Sequence, residues 1–280
     1  MKNEVIHLKE HFSALGENGC DPTVAVYLPY NMRELNRKNQ KRPCMIICPG
    51  GAYRICSERE SEPIALQLLT EGFNVFVITY STAPHGYPTQ LLEVAGLMEL
   101  IYQNRDIWNC NTEKIAIMGF SAGGHLAAHY TNAYDSEAVR KFFPESKPVN
   151  ASVLCYPVIT ADPQYSHKGS FEALLGNSEV SESDIEKFSC DRLVTSQTPP
   201  TFMWHTAEDG SVPVMNSILY AKSLSDNKIP FEYHIYPYGY HGLATADIQT
   251  NDTVNEKITH IDWLGHLKKW LRLMNFTIQN

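Results

Sequence analysis

Seven short apolar runs recur along this chain, most of them followed by a stretch of helical spacing, and that alternation restricts the fold more than any other feature. The runs are TVAVYL (23–28), CMIIC (44–48), VFVIT (75–79), KIAIM (114–118), SVLCY (152–156), FMWH (202–205) and FEYHIY (231–236). Most are apolar at consecutive positions, the pattern of parallel strands covered on both faces. FEYHIY alternates, which predicts an edge strand. Between the runs, Ile64, Ala65, Leu68 and Leu69 form one helical stripe in 62–71, with Pro63 near its start and Gly72 just past its end. Residues 89–104, 122–132 and 213–226 predict further helices, the last opened by Pro213. Val254, Ile258, Ile261, Leu264, Leu267 and Leu271 predict one long amphipathic helix packed back on the sheet.

With no internal repeat and no Gly/Ser-rich linker, residues 1–280 read as a single doubly wound α/β domain. One stretch breaks the rhythm. Residues 160–198 are polar, with short helical possibilities only at 170–176 and 181–188. In an open sheet such an excursion overhangs the carboxyl edge, where ligands bind, so a small lid-like insertion over the site is expected.

The formal net charge of −8 argues against a nucleic-acid binder, which advertises a basic face. MKNEVIHLKEHF lacks the apolar core of a signal peptide, and no window is long and apolar enough for a membrane span. A cytoplasmic protein without nucleic-acid or membrane partners is therefore expected. The seven cysteines are scattered and odd in number, without a C-x-x-C pair, so a reducing compartment fits and a cysteine zinc site does not.

Chemistry enters at Gly119-Phe120-Ser121-Ala122-Gly123, a G-x-S-x-G pentapeptide. It follows the run KIAIM directly and opens the helical AGGHLAAHY, the strand–turn–helix context in which a strained turn lifts a serine hydroxyl above the sheet. A serine nucleophile needs donors for the oxyanion that forms on attack. Pro49-Gly50-Gly51-Ala52 follows CMIIC upstream, so the backbone N–H groups of Gly51, Ala52 and Ala122 are the candidate oxyanion hole.

The serine also needs a base, and the base an orienting carboxylate, in the chain order Ser, acid, His. Among eleven histidines, His241 sits in the Gly-flanked loop YGYHGL just after FEYHIY, where the base should hang. His125 and His129 lie on the nucleophile helix, His205 and His234 in strands, and His260 and His266 on the last helix, where structural or solvent-facing roles are expected. For the acid, Asp209 and its neighbour Glu208 both lie in the loop after FMWHT, and either could hold an imidazole or cap the helix behind it. Position in the loop favours Asp209. Tyr53 and Tyr240 are candidate substrate contacts, and Tyr236 and Tyr238 could join Tyr240 in a sugar-binding surface; packing explains all four equally well.

The set PGGAY, GFSAGG, HTAEDGSVP and YGYHGLA, in that order, resembles the α/β-hydrolase esterases of the acetyl-esterase/lipase type. It is most similar to the bacterial subgroup of acetylxylan and feruloyl esterases and "sugar hydrolase" homologues, from about residue 20 to 275. The resemblance implies an α/β-hydrolase fold, with the nucleophile at Ser121, the histidine at His241 and the acid, from a D-x-x-V-P segment, at Asp209. Pro49-Gly50-Gly51-Ala52 stands where the hormone-sensitive-lipase branch has His-Gly-Gly-Gly, and no large N-terminal helical cap is evident. The expected activity is hydrolysis of short acyl, chiefly acetyl, esters of small sugars without metal or organic cofactor. The expected partner is the small-molecule ester, with a homodimer left open. A prolyl-oligopeptidase-like peptidase and a catalytically silent binding protein are the alternatives, the first disfavoured by the absence of room for a propeller domain.

Overall fold

The chain builds one eight-stranded sheet in a computed structural model that describes residues 1–32, 34, 37–177 and 179–278. The strands are β1 (Lys2–His7), β2 (Thr23–Leu28), β3 (Arg42–Cys48), β4 (Asn74–Thr79), β5 (Cys110–Phe120), β6 (Ala151–Cys155), β7 (Thr201–Thr206) and β8 (Phe231–Tyr236). Their order is β1-β2-β4-β3-β5-β6-β7-β8. All pairings from β4 across to β8 are parallel. This is the α/β-hydrolase architecture, with helices around a mostly parallel sheet. FEYHIY is an edge strand, as its alternation predicts.

The helices are α1 (Glu62–Leu69), α2 (Thr89–Gln103), α3 (Ser121–Ala133), α4 (Glu137–Arg140), α5 (Lys168–Leu175), α6 (Glu182–Phe188), α7 (Met215–Asp226), α8 (Glu256–Thr259) and α9 (Trp263–Leu273). Consecutive strand residues feed two separate cores. Ile46, Ile117, Leu154 and Met203 pack with Leu97 of α2, Leu126 of α3 and Leu224 of α7. Their neighbours Met45, Ile47, Met118, Val153 and Trp204 pack with Leu68 of α1 and Leu267 of α9. Side chains alternate between faces in a strand, so a strand covered on both sides must be apolar throughout. Each fully buried Leu or Ile contributes about 1.5–3 kcal/mol.

One expectation is corrected, and one strand lies outside the seven apolar runs. The C-terminal apolar repeat is not one long helix: α8 ends at Thr259 and α9 begins at Trp263. Asn255 caps α8 through the N–H groups of Lys257 and Ile258, and Asp262 caps α9 through that of Gly265. Two separate N-caps start two helices, and the apolar spacing alone does not register the break. The N-terminal KNEVIH, too polar to read as a strand, pairs antiparallel with β2, which is itself antiparallel to β4. Backbone pairing at the sheet margin tolerates such exposed side chains.

The parallel topology fixes where chemistry can occur. The chain leaves β3, returns as β4 on one side and then crosses to β5 on the other. The carboxyl ends of β3 and β5 therefore flank a switch point, where ligands bind in open α/β sheets. Pro49 to Ala52 leave one end and Ser121 the other. Residues 160–198 carry α5, α6 and a 3-10 turn, Cys190–Leu193, and are tied back by Cys190 N–H to Ile159 O at 2.9 Å. Among the described residues no helix is long and apolar enough to cross a membrane.

Candidate active site

Ser121 opens α3 directly from the end of β5 and has a φ of 51°, a left-handed conformation rare for a side chain of this kind. That strain is what the tight strand-to-helix turn requires. A Cβ on Gly123 would stand 2.1 Å from Cys48 O and 2.2 Å from Pro49 O, so only glycine lets α3 start so close to the end of β3.

Three residues from three loops meet here in one hydrogen-bonded series. Ser121 Oγ lies 2.7 Å from His241 Nε2, and His241 Nδ1 lies 2.6 Å from Asp209 Oδ2. Asp209 Oδ1 accepts the N–H groups of Ser211 and Val212, both at 2.9 Å. Burial alone would push the Asp209 carboxyl up. Hydrogen bonds from His205 and His241 together with the charge of His241 outweigh it and hold the group well below the usual carboxylate range. Glu208, the rival acid, makes no bond to His241; its Oε2 faces Gly239 N at 3.5 Å.

The N–H groups of Gly51 and Ala52 have no protein acceptor among the described residues. Ala122 lies in the first turn of α3, where N–H groups lack an intrahelical partner. Gly51 has a φ of 128°, and a Cβ there would meet Ile55 O at 2.2 Å, so the turn that exposes these donors depends on glycine. Ser121, His241, Gly51 and Ala52 all line an open cleft of about 470 Å³.

Several residues that sequence reasoning missed hold this arrangement in place. Glu60 is 3% exposed and accepts Gly50 N–H at 2.8 Å and Tyr156 O–H at 2.7 Å. Tyr156 Oη in turn accepts Ala244 N–H at 2.9 Å, and its ring sits edge-on to His241. Arg59 donates to the carbonyls of Gly242 and Thr250. The Arg59-Glu60 pair thus fastens the oxyanion turn and the histidine loop to each other. Burial pushes the Glu60 carboxyl up, against the two hydrogen bonds it accepts. Nothing in the polar run SERESEP marks these two residues as anchored. His205, expected to be structural or solvent-facing, instead touches the acid from β7: its Nε2 lies 3.2 Å from Asp209 Oδ2 while its Nδ1 faces Ser217 Oγ at 2.7 Å. His167, from the 160–198 excursion, lines the cleft as well, and burial with the nearby His241 pushes its pKa down.

The tyrosine expectations are corrected. Tyr53 is 1% exposed, its hydroxyl 2.8 Å from His125 Nδ1, so it packs beneath the turn and does not face the cleft. Tyr240 donates to Asn251 Oδ1 at 2.9 Å and lines a separate hollow with Lys257 and Ile258. Tyr236 is partly buried against the core, and Tyr238 lies under Lys257 Nζ. Successive residues of the loop after β8 point to different surfaces, which is why neighbours of His241 do not share its cleft.

Residues 26–224 match the BD-FAE family, more than half of the chain. The chain belongs to the BD-FAE family. It is 36% identical over 231 residues to endo-1,4-beta-xylanase B of Butyrivibrio fibrisolvens, covering 79% of this chain and 35% of that protein. It is 31% identical over 212 residues to the acetylxylan esterase of Xylanibacter ruminicola, covering 74% and 42%. This BD-FAE chain therefore spans less than half the length of either relative. The crystal structure of an acetyl ester-xyloside bifunctional hydrolase from Caldicellulosiruptor lactoaceticus superposes with a TM-score of 0.83 at 33% identity, covering 98% of this chain and 97% of that one.

Proposed function

We propose that this chain is a serine carboxylesterase that removes short acyl groups, acetyl first, from small sugar esters. One observation carries the reading: the unbroken series Ser121 Oγ–His241–Asp209 opens onto the cleft beside two unpaired N–H groups. His241, oriented by Asp209, takes the proton of Ser121 as its oxygen attacks the ester carbonyl. The N–H groups of Gly51, Ala52 and Ala122 receive the oxyanion. The alcohol leaves with the proton from His241, and water activated by the same imidazole then releases the acid from the acyl-enzyme. No metal or organic cofactor enters these steps.

The choice of ester rests on two supports. Arg54, Ser57, His167 and Ser211 set polar groups into an otherwise largely apolar cleft wall, able to orient the hydroxyls of a small alcohol. Two of the relatives are named for acetyl ester chemistry on xylan or xylosides. The test is hydrolysis of p-nitrophenyl acetate, butyrate and octanoate, then acetylated xylose, by the wild type and Ser121→Ala. Activity should fall with acyl length and drop by on the order of 10⁴-fold or more in the variant. Cleavage of aminoacyl amides in preference to esters would replace the reading with a peptidase. Failure of a fluorophosphonate to label Ser121 would replace it with a binding protein.

A further inference from the structure

Away from the cleft, three side chains that the proposed reaction does not use converge at the β8 edge. Glu232 and His234 stand two apart on β8, so both leave the same face of the strand. His266 arrives from α9, its ring centroid 4.2 Å from that of His234 with the planes 31° apart. His234 Nε2 lies 2.8 Å from Glu232 Oε1. One ligand-type atom from each of the three lies within 4.8 Å of the other two, and all three residues are half-buried.

We propose that Glu232, His234 and His266 form a binding site for a zinc-class divalent ion that clips α9 to the edge strand. The donor set selects the ion. Two imidazoles and one carboxylate suit Zn²⁺, whereas Mg²⁺ and Ca²⁺ take oxygen ligands. Ligands of a tetrahedral ion at about 2.1 Å stand about 3.4 Å apart, so side-chain rotations of about an ångström complete the three-fold set. Two imidazoles this close repel if both are protonated, while one shared ion satisfies both lone pairs and the carboxylate together. Asp262, close enough to act electrostatically on His266, adds a second negative charge, which Lys269 opposes. Half-burial leaves the fourth position to water.

The clip has a structural consequence. β8 runs through Tyr236 into the loop that carries His241, so an ion here would fix the strand from which that loop hangs. The seven cysteines carry no metal pattern, and this site escapes a sequence scan because His266 follows His234 by a whole loop and a helix break.

The test is isothermal titration of the chelator-stripped full chain with ZnCl₂, beside His266→Gln and Glu232→Gln, with esterase activity and Tm read on each. The wild type should bind one equivalent at micromolar or tighter affinity and gain Tm. Both variants should lose affinity at least tenfold while keeping wild-type activity without zinc, which shows that they fold. Co²⁺ should give the visible spectrum of a tetrahedral site in the wild type alone. Absence of stoichiometric binding by the wild type overturns the proposal. So does undiminished binding in both variants, including the case in which zinc sits on His241 and extinguishes activity. None of these readouts depends on which ester the cleft accepts.

Discussion

Two groups of histidines stand near Ser121, and their surroundings give them opposite properties. His125 and His129 follow it on α3 and are 0% and 4% exposed. His125 is held by Tyr53 Oη and Phe188 O, both at 2.8 Å, and His129 stacks on Tyr87. Burial pushes them down to about 4 and about 3, so both are neutral scaffold. His241 hangs on a loop, its side chain 19% exposed to the cleft and bonded to a carboxylate that is 0% exposed. A ring wrapped in aromatic side chains is a poor proton acceptor whatever its distance from the serine. A base needs both an opening to substrate and an anion behind it.

The largest effect that would break this contrast is catalytic. His241→Ala should lower kcat on p-nitrophenyl acetate by on the order of 10⁴-fold and leave Tm within a few degrees. His129→Phe should do the reverse, keeping kcat per folded molecule within a few-fold. Equal losses of kcat in the two variants would remove the distinction between base and scaffold.

The contrast was legible in the sequence only in part. Ser121, Asp209 and His241 could be picked because each follows an apolar run at the carboxyl end of a strand, and strand order brings such loops together. Asp209 could not be separated from Glu208 by residue type; the loop after β7 does so by turning one carboxylate toward His241 and the other toward Gly239. Glu60, Arg59 and Tyr156 were invisible, since their importance lies in partners such as Gly50, Gly242 and Ala244, the last two lying more than eighty residues away. The helix break at 260–262 was invisible because capping oxygens interrupt a helix without disturbing its apolar period.

A smaller effect, on stability, sharpens the buried half of the comparison. In the unfolded chain His125 and His129 titrate near 6.5, and in the folded chain only near 4 and 3. Above 6.5 both states are neutral and pH has no leverage. As pH falls below 6.5 the unfolded state binds the extra protons, so stability is lost progressively until the folded values are reached. At pH 5 each ring should cost about 2 kcal/mol, to be read from urea midpoints at pH 7 and pH 5. His129→Phe should recover about that much of the acid loss. Glu93, pushed up to about 7 by burial, works in the opposite sense as pH rises above 4.5, so wild type and variant must be compared at each pH. Parallel acid profiles would mean that His129 is not neutral in the folded protein.

The smallest effect concerns His205, which is buried like the α3 pair yet touches the carboxylate like His241. Its Nε2–H shares Asp209 Oδ2 with His241 and also approaches Val212 O at 3.0 Å. Donation from His205 draws negative charge from the very oxygen that faces the base. His205→Phe keeps the ring volume and removes that donor, leaving Asp209 Oδ2 to His241 alone. The acid limb of kcat/KM should then move to higher pH by a fraction of a unit, with kcat reduced tenfold or less. A fall in Tm of several degrees should accompany it, because Val212 O and Ser217 Oγ lose a buried partner. If Tm falls and the limb stays in place, His205 only packs the strand, and the property that separates His241 from the buried rings belongs to Asp209 and the cleft alone.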